Sequence, residues 1–267
     1  MIREADFFLE ESEALDRAIT GGDLAHDATT LFKEWTVDQI LRHLHMWNEA
    51  ATLSLQDPEG FMAMLQEALP KMATTGLRSY EDERYGDLSG ECLRETWIAG
   101  ARATADAFRN ADPEARLPWV GPPMSAQSSI SARLMETWAH GQAVFDALGR
   151  DRQDEDRIYP IAELGVRTFG WTYSVRGEER PGVKPHVRLT APSGEVWTFN
   201  DEQADERIEG PATAFCQVVT QTRNIADVPL EVTGSAAKDW MSKAQCFAGA
   251  PETPPPPGLR RKAERAA

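Results

Sequence analysis

Two hydrophobic periodicities meet near Gly149, and this change constrains the fold more than any other feature of the sequence. Over residues 4–149 apolar side chains recur three and four apart, the spacing of one helix face, and the few prolines fall between the periodic runs. The spacing predicts four main helices. The first covers about 4–19, and the second opens at Thr36, where Gln39 three residues on completes a capping box. A third runs from near Ser89 through Trp97 to Phe108, and a fourth from about Ser129 to Leu148, stopped by Gly149. A shorter extra helix is expected within 57–85. Four amphipathic helices of this kind bury their apolar faces against one another as a four-helix bundle.

Beyond Gly149 the charged run 150–157 reads as a hinge, and apolar and polar residues then alternate. Val187-Arg188-Leu189-Thr190 and Val196-Trp197-Thr198-Phe199 flank Pro192-Ser193-Gly194, the pattern of a hairpin. A helix is expected from Pro211 through Phe215 and Val219, a strand at Leu230-Glu231-Val232-Thr233, and a closing helix capped by Ser235 and carrying Trp240 and Phe247. The organisation is thus two domains: a helical bundle over 1–149 and a smaller α+β domain over 150–250. The proline-rich stretch with its basic cluster Arg260-Arg261-Lys262, within 251–267, reads as a disordered extension. There is no internal repeat and no phosphate-cradling glycine loop.

Composition narrows the function classes. The net charge of -15 argues against nucleic acid as a partner, since an acidic surface repels the phosphate backbone and gains nothing from counterion release. No stretch approaches the roughly 18–20 apolar residues of a membrane span, and the N-terminal residues lack the regions of a signal peptide. The chain is therefore expected in the cytoplasm and not in a membrane. Cys92, Cys216 and Cys246 form no C-x-x-C pair and are odd in number, which fits reduced thiols serving as small buried hydrophobes.

The chemistry-bearing segment is Met135-Glu136-Thr137-Trp138-Ala139-His140-Gly141-Gln142. Glu136 and His140 stand four apart on a helix and project from one face, among Ala132, Ala139, Ala143 and Ala147. Ile130, Leu134, Trp138, Phe145 and Leu148 form the large apolar stripe, and Gln142 and Asp146 fall on a face expected to be solvated. A carboxylate and an imidazole beside small residues could grip one ion together. A third ligand would come from another helix, where His43 and His45 point to nearly opposite sides; geometry leaves the choice between them open. His26 reads as a surface or hydrogen-bonded histidine.

Trp35-Thr36-Val37-Asp38-Gln39-Ile40-Leu41-Arg42-His43-Leu44, followed by Glu136-x-x-x-His140-Gly141-Gln142, resembles the DinB/YfiT-like superfamily. Within it the chain is similar to the mycothiol-dependent maleylpyruvate isomerase group and its actinobacterial relatives described as metal-binding proteins. The similarity extends to Leu189–Trp197, Phe215–Gln221 and Ala244–Gly249 and so covers nearly all of the chain except its tail. The resemblance implies a DinB-like four-helix bundle with His43, Glu136 and His140 as metal ligands. One departure is Ala143, where relatives often carry an aspartate directly after Gly-Gln; a role for that carboxylate does not transfer.

Two nitrogens and one oxygen leave a coordination position open, which favours catalysis over scaffolding. Zinc is the first expectation; nickel or iron also suit such a set. The resemblance implies a mycothiol-assisted isomerase or S-transferase acting on a small anionic unsaturated carbonyl compound, with mycothiol as thiol cosubstrate. It also makes Arg223 the candidate cation for the substrate, in a cavity expected between the domains. The alternatives are a thiol-independent metal hydrolase or lyase, with His45 as proton shuttle, and a non-catalytic metal-binding module.

Overall fold

A computed structural model describes residues 1–263 and divides the chain into two compact units, Met1–Arg150 with Ala263, and Asp151–Lys262. The first unit is helical. It contains α1 (Glu4–Thr20), α2 (Val37–Gln56), α3 (Pro58–Thr75), α4 (Leu77–Tyr85), α5 (Gly90–Arg109) and α6 (Ala126–Ala147), with a two-strand antiparallel ribbon, β1 (Arg116–Leu117) and β2 (Met124–Ser125), leading into α6. Helix α1 packs on α5 and α6, and α2 packs on the same pair from its other side, which makes these four the bundle. Phe8, Leu15, Ile40, Leu44, Trp97, Phe108, Ile130, Leu134 and Trp138 fill the interior without measurable exposure.

The expected starts and stops are set by local chemistry. Helix α6 begins one turn earlier than the apolar spacing suggests, because the Ser125 hydroxyl accepts from Ser128 N at 3.1 Å and caps the chain there. It ends at Gly149, whose φ of 62° lies in the left-handed region that glycine enters without penalty. The region expected to hold one short helix holds two. Asp57 caps α3 by accepting from Gly60 N at 3.0 Å, and Phe61, Leu65, Ala68 and Tyr80 are buried there. Both α3 and α4 lie against α2.

The second unit is α+β. It contains α7 (Tyr159–Arg167), α8 (Phe169–Ser174), β3 (His186–Thr190), β4 (Val196–Phe199), β5 (Arg207–Pro211), α9 (Ala212–Val219), β6 (Glu231–Thr233) and α10 (Ser235–Met241). The sheet order is β4-β3-β5-β6: β3 and β4 form the expected antiparallel hairpin, while β5 runs parallel to β3 and antiparallel to β6. Val187, Leu189 and Ile208 are fully buried, and Phe169 and Phe215 meet Trp240 edge-on at 5.0 and 5.9 Å.

Four expectations for this half are corrected. Pro211 closes β5 rather than opening the helix, and sequence reading assigned no strand there because Gly210 and Pro211 interrupt the alternation. Ser235 does not cap α10; the Glu206 carboxylate does, accepting from Ala236 N at 3.1 Å and Ala237 N at 2.8 Å. The charged run is not a loose hinge, since Arg152 and Asp154 pair at 3.2 Å with side chains 5 and 6 % exposed. The proline-rich stretch is held as far as Lys262: Pro255 is buried, Asn224 Nδ2 donates to its carbonyl at 2.8 Å, and Asp227 accepts from Gly258 N. Among the thiols, Cys216 and Cys246 are buried as expected but Cys92 is exposed. Among the described residues, no helix is long and apolar enough to cross a membrane.

Candidate metal centre

The start of α2 sets which of its side chains look inward. Thr36 Oγ1 accepts from Gln39 N at 3.2 Å while Gln39 Oε1 accepts from Thr36 N at 3.1 Å, satisfying two backbone donors reciprocally. Two turns on stands His43, 8 % exposed. Helix α6 supplies Glu136 and His140 from one face. His140 Nε2 lies 3.2 Å and His43 Nε2 3.6 Å from Glu136 Oε2, and one donor atom from each residue falls within 4.8 Å of the others. Ligand atoms about 2.0–2.2 Å from one ion at tetrahedral angles stand roughly 3.3–3.6 Å apart. The two shorter separations match that spacing, so the residues fit a divalent ion.

Support for the centre comes from a residue the sequence did not single out. Glu81 on α4 is buried, and its Oε1 lies 2.7 Å from His43 Nδ1. With Nδ1–H donated to this carboxylate, a His43 that gave up its second proton would present the Nε2 lone pair on the Glu136 side, the tautomer that a metal requires. Glu81 sits in the acidic run Glu81-Asp82-Glu83, which carries no sequence signal that sets it apart from its more exposed neighbours.

The protonation pattern follows from burial and these carboxylates. Burial works against charge on His43, yet hydrogen bonds with Glu136 and Glu81 outweigh it and raise the imidazole to about 9. Burial opposes the Glu136 charge too, but hydrogen bonds with His140 and His43 hold it well below the usual carboxylate range. For His140 burial prevails and its pKa is lowered. Without an ion, the proton of this cluster therefore rests on His43, between two carboxylates.

Aromatic rings wall the two histidines. Trp35 stacks on His140 at 5.7 Å and meets His43 edge-on at 5.4 Å, and Phe32 meets His140 edge-on at 4.8 Å. They are carried by a closed loop in which Thr30 N donates to Trp35 O at 2.8 Å. Lys33 and Glu34 between them adopt left-handed φ of 50° and 59°. Non-glycine residues enter that region at a cost.

Several other side chains have distinct environments. Arg133, one turn before Glu136 on the same face, is 3 % exposed, and among the described residues its Nε and Nη2 have no hydrogen-bond partner. Sequence reading overlooked it, although its spacing of three to Glu136 and seven to His140 was available. His45 is not part of the triad: it pairs with Glu49 at 3.5 Å and packs edge-on against Tyr85 at 5.2 Å. His26 bonds Asp38 at 3.2 Å. Gln142 and Asp146 are not solvated as expected but buried, with Gln142 Nε2 donating to Asp146 at 3.0 Å. Arg223 belongs to the second unit, where its Nη1 donates to Thr222 O at 2.9 Å.

Comparison with known proteins identifies the family and the fold. The family profile described as the mycothiol maleylpyruvate isomerase N-terminal domain matches residues 8–145. Two uncharacterized proteins of Mycobacterium tuberculosis, from strains H37Rv and CDC 1551 / Oshkosh, are each 35% identical over 222 residues, which cover 81% of this chain and 84% of theirs. Among solved structures, the mycothiol-dependent maleylpyruvate isomerase and a mutant of it each match with a TM-score of 0.55 at 15% identity. The match covers 81% of this chain and 87% of that one. At that identity the structural likeness shows a shared fold.

Proposed function

The chain belongs to the mycothiol maleylpyruvate isomerase N-terminal domain family, and from this premise we propose a divalent-metal-dependent enzyme of the thiol-assisted isomerase or S-transferase type. Its substrate is a small, anionic, unsaturated carbonyl compound. The observation that carries this reading is the convergence of His43, Glu136 and His140 donor atoms within 4.8 Å, backed by the Glu81 carboxylate on His43. Two nitrogens and one oxygen leave an open coordination position, the mark of a catalytic rather than a structural site. Zinc suits the set best, and nickel or iron are accommodated by the same donors.

When bound, the ion would supply Lewis acidity toward a carbonyl or thiol, and the thiol a nucleophile able to add to and leave an activated double bond. The chain's own residues prepare that chemistry. Glu81 accepts a hydrogen bond from His43 Nδ1–H and fixes the ring, so that Nε2 is the atom presented to an ion. Trp35 and Phe32 keep water from the flanks of His140, which lowers the local dielectric and strengthens every polar interaction at the centre. The Glu136 side chain remains 22% exposed, leaving an approach from solvent. Arg223 is proposed, from the family resemblance, to meet the anionic substrate. His45, held by Glu49, has a proton-shuttle role only in the thiol-independent hydrolase reading.

The test combines metal analysis with turnover. Purified protein should hold about one zinc, nickel or iron per chain and should isomerise cis-unsaturated keto acids only when mycothiol or another small thiol is added. Equal turnover without thiol would favour the hydrolase or lyase reading, and no turnover of any such acid by metal-loaded protein would refute both. Arg223→Ala should leave metal content and folding intact while lowering turnover.

A further inference from the structure

An arginine shut away from water without an acceptor is costly unless something completes it. Arg133 is 3% exposed, and among the described residues neither Nε nor Nη2 finds a hydrogen-bond partner. Desolvating an unpaired guanidinium is among the more expensive things a fold can do. Its position is not arbitrary. On α6, Arg133, Glu136 and His140 stand at i, i+3 and i+7 and so share one face.

The same face carries further incomplete donors. Ser129 and Thr137, one turn to either side of Arg133, are 1 and 0 % exposed, and among the described residues neither hydroxyl has a hydrogen-bond partner. Buried helical hydroxyls usually bond back to the carbonyl four residues earlier, as Ser131 does to Gln127 O at 2.8 Å. Ser129 and Thr137 forgo that bond. Ser129, Arg133 and Thr137 thus form a row on the face of the ligand pair, each with a buried donor atom that has no hydrogen-bond partner among the described residues, while the Glu136 charge acts on the guanidinium without a hydrogen bond to it.

Charge gives the same answer. With a divalent ion at the centre, the Glu136 and Glu81 carboxylates balance the ion, and the Arg133 charge is left over. One carboxylate group on a ligand would neutralise it, and the planar fork of a guanidinium matches that group with two parallel bonds.

We propose that Arg133, flanked by the hydroxyls of Ser129 and Thr137, is the receptor for a carboxylate of the small molecule that reaches the His43–Glu136–His140 centre. This deepens the proposed function and rests on its anionic substrate; it adds to Arg223 a second cation, carried by the bundle, for the recognition of charge. Arg133 orients the ligand and takes no part in bond making.

Maleate serves as the probe, in the absence of thiol and of turnover. In metal-loaded wild-type protein, maleate should raise the melting temperature above that in sodium chloride of equal ionic strength. By calorimetry, Arg133→Met should bind maleate about ten- to a hundredfold more weakly, the worth of a lost charged hydrogen bond. Its metal content should be unchanged, and Arg133→Lys should fall between. Thr137→Val, which alters no charge, should lose several-fold and serves if the arginine variants do not fold. Wild-type affinity in Arg133→Met or Thr137→Val, no maleate effect beyond salt in the wild type, or loss of metal from Arg133→Met would each overturn the proposal; the last would make Arg133 a counter-charge for Glu136. Maleate binding through Arg133 without thiol-dependent turnover would sink the isomerase reading alone, and turnover with wild-type maleate affinity in Arg133→Met would sink this one alone.

Discussion

Glu81 lies 2.7 Å from His43 Nδ1 and ties the short helix α4 to the side of α2 that faces Glu136 and His140. The contact does two jobs at once. It fixes the imidazole tautomer, and it holds in place a helix that otherwise contributes few buried side chains. Outer carboxylates on ligating histidines typically carry about 10- to 100-fold in metal affinity. Glu81→Ala is therefore expected to keep the bundle folded and to weaken zinc binding by about that factor, read by titration against a competing chelator. Affinity equal to wild type would show that the His43 ring is oriented by packing against Trp35 alone.

The ligand assignment is separable from that support. His43→Ala, Glu136→Ala and His140→Ala should each lose the ion, whereas His45→Ala should retain it, because His45 pairs with Glu49 away from the triad. Chelation of the wild-type protein should lower the melting temperature, since an ion held by the proposed ligands would join α2 to α6 and bind only the folded chain. A melting curve unmoved by verified metal removal would place the ion outside the bundle.

What sequence could and could not show follows physical lines. The Thr36–Gln39 box, the stop at Gly149 and the i, i+4 pair on α6 are local arrangements, and local rules read them correctly. Glu81 depends on a contact across 38 positions between helices, for which an acidic run gives no sign. Gln142 and Asp146 were placed on a wet face because they are polar, yet α6 is packed on nearly all sides and both are buried there, with Gln142 Nε2 donating to Asp146. Strand β5 was hidden because Gly210 and Pro211 break its alternation, and its parallel pairing with β3 is a tertiary fact. The proline-rich end was read from composition, whereas Pro255 and Gly258 are held by particular partners, Asn224 and Asp227.

The loop carrying Phe32 and Trp35 stores strain at Glu34, an exposed residue with φ of 59°. A left-handed non-glycine residue costs about 1–2 kcal/mol, and glycine removes that cost while losing about 0.5–1 kcal/mol to its own chain entropy. Glu34→Gly should accordingly stabilise the protein slightly, by about 0.5–1 kcal/mol in urea unfolding. Metal affinity should not change, because the rings keep their seats. A destabilised Glu34→Gly would mean that the Glu34 side chain makes an interaction worth more than the strain.

The last prediction concerns acid stability and the second unit. Glu206 caps α10 by accepting from Ala236 N and Ala237 N, and Gly234, at φ 93°, makes room for it: a Cβ there would stand 2.3 Å from the carboxylate. Burial raises the Glu206 pKa, but the backbone hydrogen bonds outweigh it and the net shift is downward from 4.5. A carboxylate with a lowered folded-state pKa contributes stability above its unfolded value, and the contribution disappears as pH falls through the folded value. Glu206→Ala should cost about 1 kcal/mol at pH 7, the usual worth of a helix cap. The difference from wild type should shrink below about pH 4, where the unfolded chain is protonated. Urea midpoints followed by tryptophan fluorescence, which reports on buried Trp240 of the capped helix, would check this at both pH values. A gap that stays constant into acid would show that Glu206 stabilises α10 through packing rather than through its charge.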